Sequence, residues 1–176
     1  QIIVSTSSMS FEEYFVCRRF TLTVSLFYND FIFSNFFSAF NTLDLSVFDL
    51  IQTLHVSAQK KFHNIYDQFE EETKNELWDS KEDLEEFIKQ DGVLEQYRNG
   101  IYGANILYKY RTLTHSNHVN ELIELFYDAV DDMIKSDSTI LEKNPDFIEF
   151  KSDMQKGHQA VGVDYLNTDI SISLSS

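Results

Sequence analysis

Nine of the sixteen phenylalanines lie between Phe11 and Phe40, in a stretch that also carries Tyr14, Tyr28 and the adjacent pair Arg18 and Arg19. So dense an aromatic block constrains the fold more than any other feature, because it must be buried against something. The 136 residues beyond it are acidic and helical in pattern, and they offer no clear means of covering it alone.

The block reads as helix. Ser10-Phe11-Glu12-Glu13 has the form of a capping box, with Ser10 accepting from the first turn and Glu13 reaching back. Two apolar stripes follow at helical spacing: Phe11, Phe15, Leu22 and Leu26 on one, Val16, Phe20, Val24, Phe27 and Phe31 on the other. Two stripes leave little face for water, the mark of a buried helix. Thr21, Thr23 and Ser25 alternate with apolar residues, so a strand over 20–27 is the competing reading. Asn29-Asp30 is expected to break or bend the helix, with a second short one over Phe31–Phe40. A membrane span over 20–40 is excluded, since only 13 of its 21 residues are apolar and Asn29, Asp30, Ser34 and Asn35 sit in its middle.

Amphipathic helices are expected to follow. Ser46 caps one that carries the stripe Val47, Ile51, Leu54, Ala58, Phe62, Ile65 and Phe69 without a break. Ser80–Lys89 is a shorter one stopped by Gly92. The next spans 93–113, with Gly100 and Gly103 one turn apart marking a close backbone approach or a break. Val119, Leu122, Ile123, Phe126, Val130, Met133 and Ile134 lie on another, capped by Ser116 or Asn117, and Asn144-Pro145 opens a short last one. After Gly157 the chain turns small, polar and alternating through Asp169–Leu174, an edge strand or a tail. One Pro and five Gly suit long helices. The expected fold is mostly α: an irregular bundle of about six helices over 10–156, a strand end and Ser-rich loop over 1–9, and a tail or edge strand over 157–176. A short strand is possible at each end, and Gln1-Ile2-Ile3-Val4 reads like the close of one in a cut or processed chain.

Charge and cysteine content restrict function. The net charge of −15 argues against a nucleic-acid partner, whose phosphates need a basic face, and gives no attraction to anionic lipid. Most of it falls after residue 60: the net is −2 over 1–60, −7 over 61–100 and −6 over 101–176. Cys17 is the sole cysteine, which excludes an internal disulfide framework, a thiolate zinc cage or a self-contained iron–sulfur cluster. It is compatible with a cytoplasmic location. His115, His118 and Glu121 could present three metal ligands on one helix face, or be a solvated helix start. His55 and His63 line a polar flank, Glu70–Glu72 a solvated face, and Asp128, Asp131 and Asp132 lack the pattern of a calcium loop. No glycine-rich phosphate loop and no nucleophile elbow occurs, so no catalytic residue is assigned.

Arg18 and Arg19 are the more telling charges. A guanidinium within an apolar helix must be paired or line a wet surface. Glu12, Glu13 or Asp30 would serve inside the domain, and an anionic ligand or partner domain would serve outside it. Tyr28-Asn29-Asp30 reads either as a polar plug closing the helix or as hydrogen-bonding groups facing a neighbouring site.

The run Tyr14-Phe15-Val16-Cys17-Arg18-Arg19-Phe20 through Leu26-Phe27-Tyr28-Asn29-Asp30 resembles the segment after the catalytic barrel in cobalamin-binding-domain radical SAM enzymes. Gly100-Ile101-Tyr102-Gly103-Ala104-Asn105-Ile106-Leu107-Tyr108-Lys109-Tyr110-Arg111 is similar to a second stretch of that C-terminal helical region, so the likeness runs over roughly residues 1–135. The resemblance implies a parent enzyme with a 4Fe–4S cluster on a Cys-x3-Cys-x2-Cys loop, S-adenosylmethionine bound there, and cobalamin in a Rossmann-like domain. None of those cofactors can be given a residue here. On this reading Gln1–Val4 ends the barrel and Phe11–Phe40 docks on an upstream catalytic domain. Arg18, Arg19, Tyr28, Asn29, Asp30, Phe36 and Phe40 would be the docking or site-facing residues. The rival from another class is a free-standing acidic helical adaptor that binds proteins through Phe33, Phe36, Phe37 and Phe40. A small helical metalloenzyme on His115, His118 and Glu121 is the third.

Overall fold

In a computed structural model, the structure describes residues 9–29, 31–43, 45–77, 80–99, 105–137 and 139–167. Among them run nine α-helices and one 3-10 turn, so the fold is mostly α, as expected. No helix among the described residues is long and apolar enough to cross a membrane. Residues 1–8 and 168–176, where the sequence allows a short strand at each end or a C-terminal tail, lie outside the described residues, as do Asp30, Gly100 and Gly103.

Helix α1 covers Phe11–Phe27. Ser10 Oγ accepts from the Glu13 N–H at 3.1 Å, and Glu13 Oε2 accepts from the Ser10 N–H at 2.6 Å, closing the capping box. The competing strand over 20–27 does not form. Thr21 Oγ1 donates to the Cys17 carbonyl at 2.8 Å, so a β-branched residue is used within helical geometry. Past Asn29 a 3-10 turn over Phe31–Phe33 leads into α2, Ser34–Thr42.

The expected single stripe from Val47 past Phe69 is carried by two helices, α3 (Val47–Lys61) and α4 (His63–Asn75). Phe62 leaves helical geometry at φ −112° and ψ 35°, and the bend lets α4 lie against α1 and α7 with Tyr66 and Phe69 fully buried. Two short helices follow, α5 (Lys81–Ile88) and α6 (Val93–Arg98), which pack on each other.

The 31-residue helix α7, Ile106–Ser136, corrects the expected boundary at 113–117. Its cap is Asn105, whose Oδ1 accepts from the Tyr108 N–H at 3.1 Å, not Ser116 or Asn117. The suspected cap region instead holds a kink, with His118 at φ −137° and ψ 25°. The kink lets one helix serve two neighbours. Upstream of it Tyr110 meets Phe69 of α4 at 5.6 Å, and downstream Phe126 stacks on Phe33 at 3.9 Å.

After α8 (Thr139–Lys143), helix α9 runs from Phe147 to Asn167. It passes through Gly157, where the helical domain was expected to end. A Cβ at Gly157 would meet nothing within 4 Å, so this glycine is a tolerated interior position and not a stop. Buried His158, one residue on, shares a 2.7 Å hydrogen bond with the Tyr127 hydroxyl and ties α9 to α7.

Most of the aromatic block is covered by the chain itself, although Phe11 and Tyr28 remain exposed. Phe27, Phe33, Phe36 and Phe40 have no exposed surface. Phe36 meets Phe126 edge-on at 5.1 Å, Tyr127 at 5.7 Å and Phe150 at 5.4 Å, while Phe40 lies 6.1 Å from Phe147. Each buried Phe is worth roughly 1.5–3 kcal/mol over an exposed one, and each ring pair about 0.5–1.5 kcal/mol more. The later helices, acidic outside, thus supply the cover that their sequence did not advertise.

Candidate functional site

The described residues converge on a polar network where α1, α3 and α4 meet. Helices α1 and α3 run antiparallel there, because Arg19 pairs with Gln59 and Thr23 with His55. Arg19 Nε donates to Gln59 Oε1 at 2.8 Å, and its Nη1 donates to Glu70 Oε2 at 2.9 Å and Asp67 Oδ1 at 3.2 Å. Gln59 Nε2 lies 2.9 Å from His55 Nε2, and His55 Nδ1 lies 2.7 Å from Thr23 Oγ1. Thr23 Oγ1 in turn lies 2.6 Å from the Tyr66 hydroxyl, in the core.

Burial, and then the Arg19 charge, push His55 below the ordinary histidine range. The Tyr66 hydroxyl is pushed above its usual range by burial, with Thr23 and Arg19 opposing. Lys74, and after it Arg19, hold the Glu70 carboxyl low against the opposing effect of its own burial. Thr23 beside a histidine oriented by Gln59 has the connectivity of a nucleophile, base and orienter. With Thr23 fully buried, no substrate reaches its Oγ1, so the chain of bonds is internal.

Arg19 is therefore paired inside the domain, but by residues 48 and 51 positions away and not by Glu12 or Glu13. Its neighbour differs. The Arg18 guanidinium lies over the Phe69 ring at 5.3 Å, and its Nε is buried without a hydrogen-bond partner among the described residues. Partial burial holds the nearby Glu76 carboxyl above its usual range, with Arg18 opposing and Glu72 adding. Glu72 itself receives Lys109 Nζ at 2.7 Å and the Tyr110 hydroxyl at 2.9 Å.

The other expected site residues separate. Tyr28 is half exposed with its ring edge-on to Phe37 at 5.1 Å, and Asn29 is exposed at the end of α1. Phe36 and Phe40 are sealed in the core, so neither presents a docking face, and the adaptor patch of Phe33, Phe36, Phe37 and Phe40 is likewise interior. The proposed metal face does not assemble. His115 Nε2 lies 3.1 Å from the Leu26 carbonyl while His118 Nδ1 faces Glu121 at 3.3 Å, and no group of three ligand residues gathers among the described residues.

Apolar exposure is found instead on the outer side of α1 and α3. Val16 is 62% exposed, Phe48 58% and Val56 54%, with Phe20 half-buried and its ring 6.3 Å from Phe48. Val16 and Phe20 are one helical turn apart, as are positions 48, 52 and 56, so each pair shares a side of its helix. Cys17 is exposed beside Val16. Elsewhere a shallow cleft of about 410 Å³ opens between the end of α2 and the start of α9, floored by Phe147 and Phe150 with Lys143 and Asp146 at its edge.

Two signals in the sequence bear on what was missed. Thr23 interrupts an otherwise apolar stripe region, and His55 and Gln59 are spaced i, i+4. Only the antiparallel pairing of α1 with α3 brings them together. Comparison with protein-family models, with curated proteins and with solved structures finds no match to this chain.

Proposed function

We propose that this chain is the C-terminal accessory helical domain of a cytoplasmic radical SAM enzyme of the cobalamin-binding type, and that it is not catalytic by itself. The reading rests on the resemblance carried by Tyr14–Asp30 and Gly100–Arg111. The observation that carries its docking part is the outer side of α1 and α3. Val16, Phe48 and Val56 are each more than half exposed there, on the helix that bears the resembling run and on its immediate neighbour. Apolar side chains so placed favour a covering partner, and the catalytic domain is the partner this reading names.

A single exposed cysteine does not fit a 4Fe–4S cluster, which takes three thiolates on one loop in this class. Cluster, S-adenosylmethionine and cobalamin would therefore all belong to the parent's other domains. The role left to this chain is structural: to pack against the catalytic part with its outer apolar side. The reading ends if the reading frame ahead of Gln1 encodes no Cys-x3-Cys-x2-Cys loop. If it does, Val16→Asp with Phe48→Asp should release this domain from the catalytic part in limited proteolysis of the full-length enzyme, and unchanged protection would refute the docking face.

A second reading, an acidic protein-binding module that stands alone, is favoured by one observation. The aromatic block is closed by α7 and α9 of the same chain, so the domain needs no other cover for its core. Binding would then use the same outer side and not Phe33–Phe40.

A further inference from the structure

The chain of bonds from Arg19 to Tyr66 has one direction. Arginine only donates, so the Gln59 amide must turn its oxygen to Arg19 Nε, 2.8 Å away. That leaves the Gln59 NH2 to donate to His55 Nε2 at 2.9 Å, which must therefore carry a lone pair. The ring proton then sits on Nδ1 and is donated to Thr23 Oγ1 at 2.7 Å, with Thr23 and Tyr66 sharing the last bond. Arg19 cannot swing aside to relax this order, because Asp67 and Glu70 hold its Nη1.

We propose that this chain is a proton-gated latch between α1, α3 and α4, closed while His55 is neutral with its proton on Nδ1 and opened when Nε2 takes up a second proton. A proton on Nε2 meets the Gln59 NH2 donor to donor. Turning the amide over cures that contact but sets its NH2 against Arg19 Nε–H. Either way one bond of the chain is lost, and with it a tie between α1 and α3.

Among the groups facing His55, the Arg19 cation opposes a second proton on the ring. From α1 come the Arg19 cation, the Thr23 hydroxyl and the Phe20 ring, edge-on at 5.1 Å. From α4 comes the Tyr66 ring at 6.3 Å, while Asp67 and Glu70 are spent on Arg19. No carboxylate among the described residues bonds the His55 ring to stabilise its cation, and burial and Arg19 both disfavour the charged form. Phe20 and Val16 stand on α1 beside the latch, so an opened latch frees the outer apolar side from its fixed position. The latch stands on these contacts and does not depend on what, if anything, docks there.

The test is a side-chain nitrogen–proton NMR titration of the chain, wild type and Gln59→Glu. Wild-type His55 should show the Nδ1–H tautomer at pH 8 and titrate below 6.5. Glutamate at 59 accepts from Arg19 and from a protonated Nε2 alike, so the His55 midpoint should rise by about 1–3 pH units. Denaturant midpoints give a second readout: the wild type should lose stability between pH 7.5 and 5.5, and Gln59→Glu should lose less. An Nε2–H tautomer in the wild type, an unmoved midpoint in Gln59→Glu, or equal stability losses would each overturn the latch.

Discussion

The two ends of this molecule are held together by opposite means. Where α2, α7 and α9 meet, Phe33, Phe36, Phe37, Phe40, Phe126 and Phe147 pack ring on ring, and the polar exception is Tyr127 bonded to His158. Where α1, α3 and α4 meet, helices lie against each other through a line of directional bonds from Glu70 to Tyr66. Dispersion and apolar burial have no direction, so the first end answers to volume. Hydrogen bonds have direction and protonation states, so the second answers to the identity of single atoms.

Volume should matter most at the aromatic end. Phe126 contacts Phe33, Phe36, Phe37 and Tyr127, and Phe126→Ala is expected to cost about 3–5 kcal/mol in denaturant unfolding. A loss well under about 2 kcal/mol would mean that the rings close over the gap, and the contrast drawn here would fail. Thr23→Val keeps the volume at the polar end but removes the acceptor for His55 and the partner of Tyr66. About 1–3 kcal/mol should go, with no change in cooperativity. A neutral outcome would show the polar end to be held by packing after all.

Acid should act through one histidine at each end. His55 and His158 are both held below 6.5 in the folded state, chiefly by burial. The unfolded chain therefore takes up protons first. The stability they contribute is complete above pH 6.5 and is lost as pH falls through the folded values. Thermal unfolding at pH 7.5 and 5.5, repeated in His55→Gln and His158→Gln, separates the two shares. At the other extreme, Tyr66 and Tyr127 are raised in the folded state, so stability should also fall as pH climbs past 10.

Two smaller changes probe one helix end and one helix interior. Ser10→Ala removes the side-chain half of the capping box and should cost about 1 kcal/mol, read from the urea midpoint. Gly157→Ala, in open space on α9, should instead gain about 0.5–1 kcal/mol. A loss there would mean that this part of α9 needs the glycine for a reason its surroundings do not reveal.

Local signals in the sequence were legible and correct. The capping box at Ser10, the cap at Ser46 and the stop at Asn29 are read from neighbours three or four residues apart, and they form as expected. Boundaries that depend on distant packing were not legible. Phe62 breaks α3 from α4 although the stripe runs on, and His118 bends α7 where a cap was expected. Gly157 ends nothing, because Tyr127 anchors the residue beside it. The candidate site divides in the same way. Arg18 and Arg19 could be singled out because charge in an apolar helix demands an explanation, but their partners lie on α3 and α4.

The sequence by itself determined that the chain is mostly helical, and its net charge of −15 set the expectation against a nucleic-acid partner. Composition and short-range periodicity are enough for those conclusions. Tertiary structure alone decided what covers the aromatic block, which arginine is paired, and that Thr23, His55, Gln59 and Tyr66 form one line. Each of these depends on which helices become neighbours. That choice is made by the summed burial of whole faces, a quantity no single residue spacing records.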